Sequence, residues 1–402
     1  MYSRMKRRIG RVALFVSVML AIELLDELVF GVEEAAWPLI RNDLMLSYVQ
    51  IGLLMSLPKV IGTFIEPALG ILADTWKRGI LIIGGGIGFT LALLLTGISQ
   101  SFPVLLIGLI LFYPSSGAFV GLAQAALMDY SPARHEHNMA RWTFAGSVGV
   151  TLGPVFLSLA LLAGYTWRTP FLIMSVFSLV VLLLTSRMKF SNGSSQDEDG
   201  DSMTFWQGLK KAWHAMKRPD VLRWLILLEF SDLMLDVLLG YLALYFVDVV
   251  GLTEAQAAIA VLVWTGVGLI GDFMLIFLLE RIKGLVYLRF SAAVILCLYP
   301  AFLLVDTLAL KLVLLALLGF FNAGWYAILK AQLYSAMPGQ SGTVELTIGN
   351  VTGLIGAQIP LLIGVLASLV GLSTAMWFLW LGPVALLIGI PRTGGKEAAR
   401  DE

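Results

Sequence analysis

Apolar residues run through this chain in long unbroken stretches, not in the one-sided or alternating patterns of water-soluble elements. Twelve stretches recur, at about residues 12–36, 48–73, 79–99, 103–128, 142–164, 168–188, 221–248, 255–279, 285–304, 309–335, 343–369 and 372–391. Each is close to the roughly 20 residues a helix needs to cross a bilayer core. The interval 190–219 breaks the rhythm. Ser191 to Asp201 is polar throughout, a composition that builds no core. Met203 to Lys217 then mixes Trp206, Trp213 and Met216 with Lys210, Lys211 and Lys217, which predicts an amphipathic helix lying on the membrane surface. The expected fold is an all-α integral membrane protein with twelve transmembrane helices. An N-terminal six-helix bundle covers 1–189, a linker 190–220, and a C-terminal six-helix bundle 221–402.

Composition agrees with the pattern. The 402 residues are 58% hydrophobic and 13% charged, about half the charge density of soluble domains. Basic and acidic residues balance at 27 each, so no global field points to nucleic acid as a partner. One cysteine, Cys297, excludes a disulfide framework, and three histidines leave little for a histidine-built metal centre. No cofactor is expected, and neither is an enzyme. The N-terminal Arg4, Lys6, Arg7, Arg8 and Arg11 precede an apolar run that carries acids and meets no small-residue cleavage site, so it reads as a retained first helix. With both termini on one side, Arg41, Arg168 and Lys311 fall in loops on the other. Apart from Lys59 and Lys330 inside spans, the remaining basic residues gather on the first side. Basic loops mark the cytoplasm. The expectation is a multi-pass protein of the cell membrane with both ends cytoplasmic.

The two halves repeat at an offset of about 206 residues. Glu23-Leu24-Leu25-Asp26 on the first span matches Glu229-Phe230-Ser231-Asp232 on the seventh. Gly62 aligns with Gly268, Glu66 with Asp272, Pro132 with Pro338 and Pro154 with Pro360; Gly149 meets Gly356 one residue further on. Parallel six-helix repeats predict two similar bundles about an axis along the membrane normal, with a binding site between them near the midplane.

After the second span stands Gly70-Ile71-Leu72-Ala73-Asp74-Thr75-Trp76-Lys77-Arg78-Gly79. It resembles the signature loop of the major facilitator superfamily: a glycine, an aspartate four residues on, then a basic cluster. Thr75 and Lys77 depart from the usual residues. A degenerate copy with Glu280 and Arg281 follows the eighth span, where that family places its second copy. The resemblance covers essentially the whole chain and implies transport by rocking of the two bundles. Gly70, Asp74, Lys77, Arg78, Glu280 and Arg281 would then latch one face. On the fifth span, Gly149, Gly153 and Pro154 resemble the Gly-x-x-x-Gly-Pro stretch of drug- and proton-antiporting members, which implies export and adds these three residues to the gating set. The same small-residue spacing also serves ordinary close packing of membrane helices.

Acids inside the spans carry the candidate chemistry. Glu23, Asp26, Glu27, Glu33 and Glu34 share one face of the first helix at about 3.6 residues per turn. Glu229, Asp232 and Asp236 repeat the device on the seventh span, with Glu66, Asp272 and Glu345 elsewhere. Membrane-buried acids are costly and mark function. Carboxylates this crowded cannot all stay ionised, which suits a proton-coupling group. Glu33 and Glu34 are expected near the outer surface, so the proton- or cation-binding set is Glu23, Asp26, Glu27, Glu66, Glu229, Asp232, Asp236 and Asp272. The substrate cavity is expected to take Trp37, Gln124, Trp264, Trp325, Tyr326, Lys330, Gln332, Glu345 and Gln358.

Glycine-rich Gly84 to Gly88 begins a span and follows no strand, and no phosphate-binding loop is present, so ATP is not the drive. His135 and His137 lack the one-turn spacing that puts two histidines on one helix face. The sequence therefore predicts a proton-coupled, monomeric transporter that exports a small organic molecule, cationic or amphipathic. Its partners are that molecule, protons and the lipid bilayer. A metal cation held by carboxylates, a lipid flippase or a non-transporting sensor are the alternatives.

Overall fold

The computed structural model describes residues 2–75, 78–130, 135–188, 190, 217–336 and 354–391. The proposed surface helix at 203–217 and the proline pair Pro132 and Pro338 therefore lie almost wholly or entirely outside the described residues. All regular structure among the described residues is helical. In the first half, α1 (Tyr2–Asp43), α2 (Tyr48–Thr75) and α3 (Arg78–Ile98) are followed by α4 (Phe102–Ser116), a π turn (Gly117–Gly121) and α5 (Leu122–Tyr130), which together make one span. Next come α6 (His135–Leu162) and α7 (Arg168–Thr185).

The second half opens with α8 (Pro219–Asp232), a second π turn (Leu233–Val237) and α9 (Leu238–Asp248), again one span. Then follow α10 (Glu254–Leu279), α11 (Gly284–Leu304), α12 (Leu308–Asn322) and α13 (Trp325–Ala336). α14 (Ile359–Val370), α15 (Leu372–Ala375), a 3-10 turn (Met376–Trp380) and α16 (Leu381–Gly389) complete the chain. Among the described residues, nine helical stretches are long and apolar enough to cross a membrane. The spans of α1 and of α8–α9 stand apart because they carry the acids. The eleventh is described only from Leu354 to Val370.

Packing repeats between the halves. α3 lies against α4 and α7; α11 lies in the same way against α12 and α16. α2 packs on α4 as α10 packs on α12. Contacts between the halves are exchanged by the same pseudo-two-fold: α2 meets α14, α6 meets α10, and α1 meets α9 along the axis. The outward faces carry Phe290, Val176, Leu183, Leu369 and Ile388, exposed apolar side chains suited to lipid.

Glycines bring α1 and α6 together. A Cβ on Gly153 would land on the backbone of Gly31, and one on Gly149 on the carbonyl of Leu24. Gly149 and Gly153 thus form a packing seam between two helices of one half. Pro154 sits inside the same helix.

Candidate functional site

α1, α2 and α4 of the first half face α8, its π turn, α13 and the start of α14 of the second across a cavity of about 370 Å³, within the range of small-molecule sites. Acids line it from both sides: Glu33 and Glu34 from α1, Glu229, Asp232 and Asp236 from α8 and its π turn. Lys59 and Lys330 are the basic lining residues, and Trp37, Tyr113 and Tyr326 the aromatic ones. Trp37 Nε1 donates to Glu34 Oε2 at 3.3 Å, and Lys330 Nζ donates to the Tyr326 hydroxyl at 3.0 Å. Glu33 is 4% exposed, and its Oε2 has no hydrogen-bond partner among the described residues.

A π turn interrupts the span where it offers acids to the hollow. Widening the helix locally shifts the side-chain register, and both Asp232, just before the turn, and Asp236, within it, reach the cavity. Asn322 Nδ2 donates to the carbonyl of Met234 in that turn at 2.6 Å. In the first half Ser116, just before the other π turn, donates to Asp26 Oδ1 at 2.8 Å. Each of the two matched aspartates thus stands beside a π turn, though the turn lies on a different span.

Of the expected binding set, Glu229, Asp232, Asp236, Trp37, Tyr326 and Lys330 line the cavity. Glu23 and Asp26 are buried elsewhere on α1, with Glu23 packed beside Gly146. Glu27 is half-buried and repelled by Asp236. Asp272 is exposed on α10, where its Oδ1 accepts from the Gly324 amide at 3.0 Å. Trp325 is fully buried and donates to Ser291 Oγ at 2.8 Å, inside the second half. Trp264 is buried where its carbonyl meets Gly319, and Gln358 is exposed. Gln124 and Gln332 are half-buried outside the lining. Glu345 and the side chain of Glu66 lie outside the described residues. Lys77 does too, as do the surroundings of Gly70 and the side chain of Asp74; Arg78 is buried at the start of α3, while Glu280 and Arg281 are exposed after α10.

Glu33, Glu34 and Lys59 differ from expectation: the two glutamates stand in the cavity, not at a solvated rim. They share the acidic face of α1 already visible in the sequence, and α1 extends to Asp43, which places them well inside it. Lys59 was signalled by a bare cation within a span.

The cavity is closed on the side of the α1–α2 and α9–α10 turns. Arg41 Nη1 donates to Asp248 Oδ2 at 2.6 Å, and the Tyr48 hydroxyl donates to the same oxygen at 2.7 Å. Asn42 Nδ2 donates to Glu254 Oε1 at 3.1 Å. Deeper in, the helix break at Ala357 and Gln358 leaves α14 with free amides at its start, and Leu361 N donates across the interface to Ser56 Oγ at 3.0 Å. Among the described residues, no three His, Cys, Asp or Glu side chains are grouped to hold a metal ion.

The family model of the Major Facilitator Superfamily matches residues 28–357. No curated protein matches the chain. Similar solved structures include the nucleoside transporter NupG, with TM-score 0.74 and 13% identity over 94% of this chain and 98% of that one. A bacterial homologue of the human lysosomal transporter Spinster, inward-facing and occupied, has TM-score 0.66 and 15% identity over 96% of this chain and 99% of that one. At such identities the likeness concerns the fold.

Proposed function

This chain belongs to the major facilitator superfamily, and from that premise we propose that it is a proton-coupled secondary transporter that exports a small organic, cationic or amphipathic molecule. The observation that carries the reading is the pooling of acids from both halves in one cavity. Five carboxylate side chains line it against two lysines. Opposite charge in a poorly hydrated hollow favours a cation, and Trp37, Tyr113 and Tyr326 supply faces for its apolar or cationic parts. Asp232 or Glu229 in the cavity wall, and Asp26 or Glu23 on α1 outside it, exchange the coupling proton, and at Asp232 and Glu229 proton and substrate cation compete for the same oxygens.

Alternating access follows from the geometry. In this state Arg41, Tyr48 and Asp248 hold one face shut; rocking of the halves opens it and closes the other. The reading places the chain in the cell membrane as a monomer with both ends cytoplasmic. A metal-cation substrate is the weaker reading, since the carboxylates form no three-ligand group among the described residues.

Proteoliposomes carrying a pH gradient test the reading, with tetraphenylphosphonium as the organic cation and manganese(II) as the metal control. Wild type should move tetraphenylphosphonium against its gradient and leave manganese behind. Asp26→Asn and Asp232→Asn should each cut gradient-driven transport by about tenfold or more, the scale of one lost charge interaction. Unaltered coupling in both variants would sink the assignment.

A further inference from the structure

Lys59 sits on α2, half-buried in the cavity wall. Its ammonium feels Asp236, Glu34, Asp232 and Glu33, two carboxylates from each half. Glu229, Lys330, Tyr113 and Tyr326 complete the titratable lining. Yet among the described residues Lys59 makes no ion pair within 4.0 Å.

Fixed cations elsewhere in the molecule look different. Lys311 is 4% exposed and donates to the Tyr245 hydroxyl at 2.9 Å and the Phe302 carbonyl at 2.7 Å. Arg168 holds Asp43 at 2.6 Å. Lys59 has neither kind of clamp. Its flexible four-carbon stem lets a compact charge move among several oxygens. Nearby, the buried Oε2 of Glu33 has no hydrogen-bond partner among the described residues, an acceptor left open toward the same hollow.

We propose that Lys59 is a tethered cation that holds the acidic cavity while no cargo is present and is displaced by the cationic centre of the substrate. The inference rests on the cation-transport reading above. An empty carrier then never presents a bare cluster of carboxylates to a low-dielectric interior, and the returning ammonium helps expel the cargo. Lys59 therefore trades affinity for turnover.

Equilibrium binding of tetraphenylphosphonium to the purified full-length chain tests this, alongside its transport rate in vesicles. Lys59→Gln should bind about tenfold more tightly, as expected for removing one competing unit charge, with a slower turnover; Lys59→Arg should stay near wild type. A merely structural lysine would instead lower thermal stability and leave binding unchanged or weaker. Lys59→Met, which keeps much of the apolar stem, repeats the measurement if the glutamine variant is not recovered. Binding no tighter than wild type in the neutral variants, including no binding by any form, overturns the proposal. Asp232→Asn separates the two failures. If it weakens binding while the Lys59 variants do not tighten it, only the tethered-cation role falls. If it leaves binding unaltered, the cation reading falls with it.

Discussion

Among single residues, the acids of the first and seventh spans were legible as chemistry because charge inside an apolar run has no bland explanation. Their grouping was less legible. Which acids meet depends on how far each helix extends and on its local register, and neither is written in a periodicity. Hence Glu33 and Glu34 were placed at a wet rim, whereas α1 carries them into the cavity. Trp325 and Trp264 stand outside the lining for the opposite reason: an aromatic has no charge to betray its surroundings, and both are buried in packing away from the cavity. The Arg41–Asp248 pair, 25% and 20% exposed, belongs to this scale as well. A partly solvated pair contributes about 0.5–1 kcal/mol, enough to shift a two-state balance a few-fold. Arg41→Ala should therefore speed the reaction of a cysteine at Trp37→Cys, in a Cys297→Ser background, with a water-soluble maleimide added from the α1–α2 side. An unchanged labelling rate would show that the pair does not bias the closed face.

Elements were read well where length and apolarity suffice, and poorly where one residue changes the winding. Neither π turn was foreseen, although the one at Leu233–Val237 holds one and adjoins the other of two aspartates that line the cavity. The small residues of α6 were read both as gating residues and as close-packing residues, and their surroundings make them a packing seam. That assignment has a direct check. Gly153→Val pushes a side chain into the backbone of Gly31, and overpacking of this kind costs typically ~1–3 kcal/mol, sometimes more. Gly84→Ala, with nothing within 4 Å of the added carbon, is the control. The melting temperature in detergent should fall clearly for the first and stay nearly unchanged for the second. Equal effects would remove the seam from the account.

For the whole molecule, duplication was the most informative signal, because a constant offset predicts which helices exchange places. The crossed contacts of α2 with α14 and of α6 with α10 have that symmetry. Rocking about such an axis requires the closed end to part in every cycle. Cysteines at Asn42→Cys and Glu254→Cys, joined by a short bifunctional maleimide in the Cys297→Ser background, should abolish vesicle transport yet spare tetraphenylphosphonium binding from the other side. Transport that survives the cross-link would exclude parting of this end.

The bond from Leu361 to Ser56 carries a consequence of its own. It satisfies one half's broken helix with a hydroxyl from the other half, so separating the halves strips a backbone amide of that acceptor. Bare amides in lipid are prohibitive, and only incoming solvent can replace the lost oxygen. Wetting of the seam and its opening should then be a single event, and drying should be what lets it shut.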